Sequence, residues 1–280
     1  MIRIRTRRYF QLGTSLGVNG YLPGYWAKAV YQGAAKGFCV PVLNCYACPS
    51  AFFSCPIGTL QHFMVVRAIP YYTLGFLGLV GSVVGRMPCG TLCPFGFFQE
   101  MLYKLPSIKI RIPKYLRPFR FVALVMLVFV IPWITSENWF SKLCPMGTLI
   151  GGLPWVTISP EVRSMIRDLF WIKIAILIFF VVSSVVAKRP FCQTTCPLGA
   201  IYSLFNRVSL VRLRWNPELC THCDKCYQVC PMEVRPYEEP NTGQCIRCLD
   251  CTDCEALTVT TVLGREPARE REGVPGSALT

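Results

Sequence analysis

Histidine is nearly absent from this chain. Its 280 residues hold two, His62 and His222. Two b-type haems with paired axial histidines would need four, so a di-haem membrane anchor is excluded. No Cys-x-x-Cys-His occurs, which removes covalent c-type haem as well. Charge is also scarce, at 16% of residues against 52% hydrophobic. That balance is too apolar for an ordinary soluble domain and points to membrane spans. Acidic residues are the rarer sign, 15 against 29 basic, for a net charge of +14. A basic surplus suits nucleic acid, but here it flanks apolar segments, where it sets membrane orientation. No nucleic-acid partner is expected.

Cysteine is what the chain has in excess, 17 residues in all. Residues 220 to 230 read Cys220-x2-Cys223-x2-Cys226-x3-Cys230-Pro231, followed by Cys245-x2-Cys248-x2-Cys251-x2-Cys254. Three thiolates this close wrap three corners of one [4Fe–4S] cubane, and the fourth crosses to the other cluster. The expected sets are Cys220, Cys223, Cys226 and Cys254 for one cluster, and Cys245, Cys248, Cys251 and Cys230 for the second. Tetrahedral zinc uses separated Cys-x2-Cys pairs, not three cysteines in a row. The second run is one residue short before Cys254 and has no proline after it. Iron–sulfur ligation also implies assembly in a reducing compartment.

Four apolar stretches read as candidate spans: 9–27, 64–85, 119–135 and 169–187. The first is interrupted by Gly, Asn and Pro. The run Thr6-Arg7-Arg8-Tyr9-Phe10-Gln11-Leu12 resembles a twin-arginine export signal, but no clean apolar stretch or cleavage site follows. It reads instead as an orientation anchor. Basic residues divide sixteen to five between the two sides of the four spans. This puts both termini and the ferredoxin-like segment in the cytoplasm and the protein in the inner membrane as a multi-pass chain. Residues 207–219 read as a basic linker and 264–280 as a disordered tail. The expected domains are 1–206 in the membrane, 207–263 as the two-cluster ferredoxin domain, and 264–280 as the tail. The fold class is an α-helical membrane protein, four transmembrane helices in two parallel pseudo-repeats, with a small C-terminal α+β ferredoxin domain.

A Cys-Pro-apolar-Gly motif recurs at Cys55, Cys93, Cys144 and Cys196. On the cytoplasmic side each half supplies Cys-x3-Cys-Pro, so Cys89, Cys93, Cys192 and Cys196 make four thiolates, one cluster's worth. On the outer side Cys45, Cys48, Cys55 and Cys144 make another four. Only Cys39 is left over. Proline suits the first turn of a helix, and helix N-terminal amides favour an anionic cluster. The outer cysteines read equally as disulfides or as redox-active thiols. Electrons do not cross a hydrocarbon core of roughly 30 Å in one efficient step. An outer cluster, an inner cluster and two ferredoxin clusters would divide the distance.

These residues resemble the four-span membrane iron–sulfur proteins of the NapH and NosR type, polyferredoxin-like membrane components of quinol dehydrogenases. The motifs that carry the resemblance are Cys89-Gly-Thr-Leu-Cys93-Pro94, Cys192-Gln-Thr-Thr-Cys196-Pro197, Asn44-Cys-Tyr-Ala-Cys48-Pro49 with Cys55-Pro56, and residues 220–254. The resemblance implies quinol oxidation and electron supply to extracytoplasmic reductases. It implies as partners the membrane, other subunits of a redox complex, an extracytoplasmic redox protein and a quinone. No flavin-binding domain precedes the spans, so the full NosR architecture is not matched. The expected function is an electron-transfer subunit of an oxidoreductase complex, working between the quinone pool or a cytoplasmic donor and a partner outside. Two other readings stay open: a maturation factor that reduces metal or thiols during assembly of another enzyme, and an iron–sulfur membrane sensor. A transporter is disfavoured because the spans hold few ionisable residues. His62 is either a proton acceptor for quinone or a solvated interfacial histidine.

Overall fold

The structure, a computed structural model, describes residues 2–262. The tail 264–280 lies outside the described residues. The chain is mostly helical, with one two-stranded sheet near its C-terminal end.

Two helices are long and apolar enough to cross a membrane, Lys114–Thr135 and Asp168–Val186. Only 11% of the apolar window of Asp168–Val186 is buried, and Trp171, Ile172, Ile178, Phe179 and Val182 are exposed. The core helix of a soluble protein would bury such side chains. The other two expected spans come out differently. The 9–27 stretch is a helix at Ile2–Val18 that stops at Asn19-Gly20. The 64–85 stretch is broken, because Pro70 drives Ile69 out of the helical region and Arg67 turns the chain at φ 53°. The helix restarts at Tyr71 and ends at Val84. Its 14 residues rise about 21 Å, short of a hydrocarbon core of about 30 Å.

The same order of elements occurs twice. The first pass runs Ile2–Val18, the Cys55-capped helix Pro56–Val65, Tyr71–Val84, Met87–Thr91, and the Cys93-capped helix Pro94–Tyr103. The second runs Lys114–Thr135, a Cys144-capped stretch from Pro145 to Ile158, Asp168–Val186, Pro190–Thr194, and the Cys196-capped helix Pro197–Phe205. Two π-turns mark the second pass, Leu124–Val130 ahead of Pro132 and Thr148–Gly152 ahead of Pro154. Proline withholds an amide from the turn behind it, and the ladder re-registers. The carbonyls left over find other donors. Gln61 Nε2 donates to Leu127 O at 2.9 Å, and Cys48 Sγ donates to Ile150 O at 2.7 Å.

Residues 207–219 are more than a linker. Val211–Trp215 forms β1, paired antiparallel with β2, Leu257–Thr261, with Leu213 opposite Val259. Leu213 faces in while Arg214 faces solvent, the alternation of a half-buried strand. The sheet ties together the two ends of the cysteine-rich segment.

Four of the basic residues counted for orientation are internal. Arg7, Arg86, Arg120 and Arg189 are 6%, 0%, 4% and 0% exposed. They serve the packing rather than standing in water. Arg7, the first arginine of the twin pair, is locked between helices.

Candidate metal centre

Cys93 and Cys196 are each the N-cap of a helix whose next residue is proline. The Gly96 amide donates to Cys93 Sγ at 3.5 Å and the Gly199 amide to Cys196 Sγ at 3.4 Å. The expected placement of thiols on helix N-termini is therefore present. Cys89 and Cys192 each lie on the short helix just before. The four thiols are near enough to interact, Cys93 with Cys89 and Cys192, and Cys196 with all three. Burial, then Cys192 and Cys89, push the Cys93 thiol up to about 12. Such a thiol is neutral until a metal takes its proton.

Two arginines, whose charge in the sequence suggests only membrane orientation, clamp this set. Arg86 precedes Cys89 by three residues and Arg189 precedes Cys192 by three. Each reaches across to the opposite half: Arg86 Nη2 donates to Cys192 O at 2.8 Å, and Arg189 Nη1 to Cys89 O at 2.7 Å. The glycines of the motif make room for them. A Cβ on Gly199 would sit 2.6 Å from Arg86 Nη2, and one on Gly96 2.8 Å from Arg189 Nη1. The full repeat is therefore Arg-x2-Cys-x3-Cys-Pro-apolar-Gly, and its spacing is legible in the sequence. Arg189 also bonds Glu100 Oε1 through Nε at 2.9 Å. No carboxylate pairs with Arg86 among the described residues, and its guanidinium faces the Cys89 thiol. A buried cation without a counter-charge is costly. An anionic cluster on these four thiolates would supply that charge, so the donor set fits such a group.

Of the set expected on the outer side, Cys45, Cys55 and Cys144 line one cleft together with Asn44, Gly58 and Gly147. Both polar atoms of the Asn44 amide are buried and lack a hydrogen-bond partner. A Cβ on Gly151 would lie 3.2 Å from Cys45 Sγ and 3.8 Å from the Cys48 amide nitrogen. Trp155 Nε1 fixes the Cys45–Cys48 loop through Ala47 O at 2.7 Å. The thiol of Cys48 is turned to Ile150 O and Ser50 Oγ. None of the 17 cysteines is in a disulfide. Cys39 stands apart, its sulfur 3.7 Å from Thr59 Oγ1. His62 is exposed on the Pro56–Val65 helix.

In the C-terminal segment Cys245 and Cys248 lie near Cys230, and Cys251 lies near Cys245 and Cys230 and also near Cys226 of the other expected set. Cys226 faces Cys254 and Cys220. Cys223 is at the exposed edge. The short spacing before Cys254 has a local cause. Asp250–Asp253 winds as a 3₁₀ turn, closed by Cys254 N to Cys251 O at 3.3 Å. The first run uses an α-turn, Lys225–Val229, over its x3 gap. A 3₁₀ turn takes three residues where the α-turn takes 3.6.

The Cys245–Cys248 loop docks directly on the inner set. A Cβ on Gly90 would collide with Ile246 O and lie 3.2 Å from the Cys248 backbone. Arg247, 1% exposed, donates to Val84 O at 3.0 Å and to Asn206 O at 2.6 Å. Asn206 returns bonds to Cys245 O at 2.7 Å and from the Arg86 amide at 2.9 Å. Arg7 closes the seam from the N-terminal helix. It holds Glu100 with two bonds, at 2.9 and 3.0 Å, and Asp250 at 2.9 Å. Among the described residues no three His, Cys, Asp or Glu converge on a point where one metal ion would sit. A cubane spreads its thiolates over four irons and needs no such convergence.

Burial raises the Glu100 pKa, but Arg189 and Arg7 outweigh it and hold the carboxyl below its usual range. A carboxyl depressed in the folded state contributes stability above its unfolded pKa, about 4.3, and loses it as pH falls through the folded value. Wild-type protein should therefore lose stability from about pH 5 downward. Glu100→Gln should flatten that limb in melting curves taken against pH. Parallel curves for the two proteins would contradict the pairing.

Two family models, each described as a 4Fe-4S binding domain, match the chain. One covers residues 73–113 and 168–217, and the other residues 213–235. The first match falls once on each half of the repeat. An uncharacterized protein of Methanocaldococcus jannaschii is 29% identical over 211 residues, 71% of this chain and 82% of that protein. The methylamine utilization ferredoxin-type protein MauN of Methylorubrum extorquens is 28% identical over 155 residues, 53% of this chain and 48% of MauN. The regulatory protein NosR of Stutzerimonas stutzeri is 27% identical over 172 residues, 57% of this chain and 22% of NosR. The chain thus spans about half of MauN and less of NosR. No solved structure matches it. Together these matches and the cysteine sets support an iron–sulfur protein of the electron-transfer class.

Proposed function

We propose that this protein is a membrane electron-transfer subunit that works between the quinone pool or a cytoplasmic donor and a redox partner outside. The observation that carries this reading is the seam. The backbone of Cys248 packs on Gly90, beside Cys89, so the C-terminal cysteines and the inner set are immediate neighbours. The proposed order of the sets is Cys45, Cys48, Cys55 and Cys144; then Cys89, Cys93, Cys192 and Cys196; then Cys230, Cys245, Cys248 and Cys251; then Cys220, Cys223, Cys226 and Cys254, with Cys223 exposed. Clusters bound at these sets would supply reversible one-electron storage. The four-span arrangement with both termini in the cytoplasm belongs to the same proposal. The repeated element order and the two long apolar helices support it; Tyr71–Val84, about 21 Å long, would cross with local thinning of the bilayer.

Iron analysis and EPR on anaerobically purified protein test the reading. About sixteen irons per chain are expected for four clusters and about eight for the C-terminal pair alone. A protein that carries no iron sinks it.

One observation favours a second reading for the outer set. Cys48 Sγ lies against Ile150 O and Ser50 Oγ and does not line the cleft that Cys45, Cys55 and Cys144 share. A maturation role with reactive outer thiols would use such a thiol. Labelling Cys45, Cys48, Cys55 and Cys144 from outside separates the two, since cluster ligands resist alkylation.

A further inference from the structure

We propose that Gln99 and Tyr202 are a pseudo-symmetric pair of hydrogen-bond donors to the thiolates of Cys192 and Cys89, and that they set the redox potential of the inner centre. The inference rests on the reading of Cys89, Cys93, Cys192 and Cys196 as one ligand set.

The two halves exchange contacts reciprocally, as Arg86 to Cys192 O and Arg189 to Cys89 O show. Gln99 lies six residues after Cys93, and Tyr202 lies six residues after Cys196. Both side chains are internal, 1% and 0% exposed. Gln99 Nε2 donates across the interface to Cys192 Sγ at 3.2 Å. Its Oε1 accepts the Phe191 amide at 3.2 Å, so the amide is held in that orientation. The exchange that carries Arg86 onto Arg189 carries Gln99 onto Tyr202 and Cys192 onto Cys89. Cys89 is one of three cysteines near Tyr202, with Cys39 and Cys55, and it is the one the exchange of halves pairs with Cys192.

The Tyr202 hydroxyl is the part left over. Its Oη is buried and has no hydrogen-bond partner among the described residues. An unpaired buried hydroxyl is rare in folded proteins, because nothing offsets its lost hydration. A thiolate or cluster sulfur at Cys89 would accept that proton, as Cys192 accepts from Gln99. Donors to cluster sulfur favour the more negative, reduced state and so raise the potential. Tyr202 acts through Cys89 and is a positioning residue.

The test is an EPR-monitored redox titration of the full chain in detergent, wild type against Tyr202→Phe, with iron counted in both. Phenylalanine keeps the ring and removes only the hydroxyl. The expected result is full iron content and a downward shift in the midpoint of one signal, the signal that disappears in Cys89→Ser. Gln99→Leu should shift the same signal downward, which keeps the proposal falsifiable if either variant folds poorly. Unchanged midpoints in both variants, with iron intact, would overturn it. If Cys89→Ser leaves iron and every signal unchanged, the ligand-set reading itself fails, and the two failures are distinguishable.

Discussion

An Arg86→Met protein is expected to lose about four irons per chain and roughly 3–5 kcal/mol of stability in the iron-loaded state. Arg86 is fully buried and no carboxylate pairs with it among the described residues. Its guanidinium donates to Cys192 O at 2.8 Å and Gly243 O at 3.1 Å, and it faces the Cys89 thiol. Removing it leaves the four thiolates of the inner set with less compensating charge and leaves the buried Cys192 carbonyl short of a donor, while Gly243 O keeps Arg120 Nη2 at 3.4 Å. Methionine fills the volume and supplies neither. Arg86→Lys should recover part of the charge but not the forked geometry that spans both halves. Iron analysis and thermal unfolding of anaerobically purified protein give the result. Full iron with an unchanged midpoint would mean that the arginine is not counter-charge to the site.

Gly90→Ala is expected to open the seam between the C-terminal cysteine segment and the helical part. The added methyl would collide with Ile246 O and crowd the Cys248 backbone at 3.2 Å. Both neighbours are backbone, so neither can swing aside as a flexible side chain would. Overpacking of this kind costs about 1–3 kcal/mol, concentrated on one loop. Hydrogen exchange of residues 243–249 should rise, and reduction of the inner centre through the C-terminal segment should slow. Gly75→Ala is the control, since nothing lies within 4 Å of the added atom. Equal exchange in both variants would show that the loop does not dock through Gly90.

The cysteine spacing is the most legible part of the proposed site. Three thiols at two-residue gaps imply one cubane and a fourth ligand from elsewhere, and Cys226 lies near Cys254 and Cys220, as Cys245 and Cys248 lie near Cys230. The Cys-Pro-apolar-Gly repeat likewise implied thiols at helix starts, where Cys93 and Cys196 are found. The span boundaries were less legible. Hydropathy averages over a window, so it ran 64–85 together across Pro70, where the backbone cannot stay helical. Charge counting treated every arginine as solvated, although Arg7, Arg86, Arg120 and Arg189 are internal.

The sequence by itself determined where the thiols stand and how they group along the chain, because such spacing is a local constraint of backbone reach. It also determined that the chain is helical and apolar. Only the tertiary structure decided that Arg86 and Arg189 cross between halves, that Gln99 reaches Cys192, and that Gly90 receives the Cys248 loop. Those contacts join residues 90 to more than 150 positions apart. Nothing in the local pattern fixes such a contact, which depends on how the two halves pack face to face.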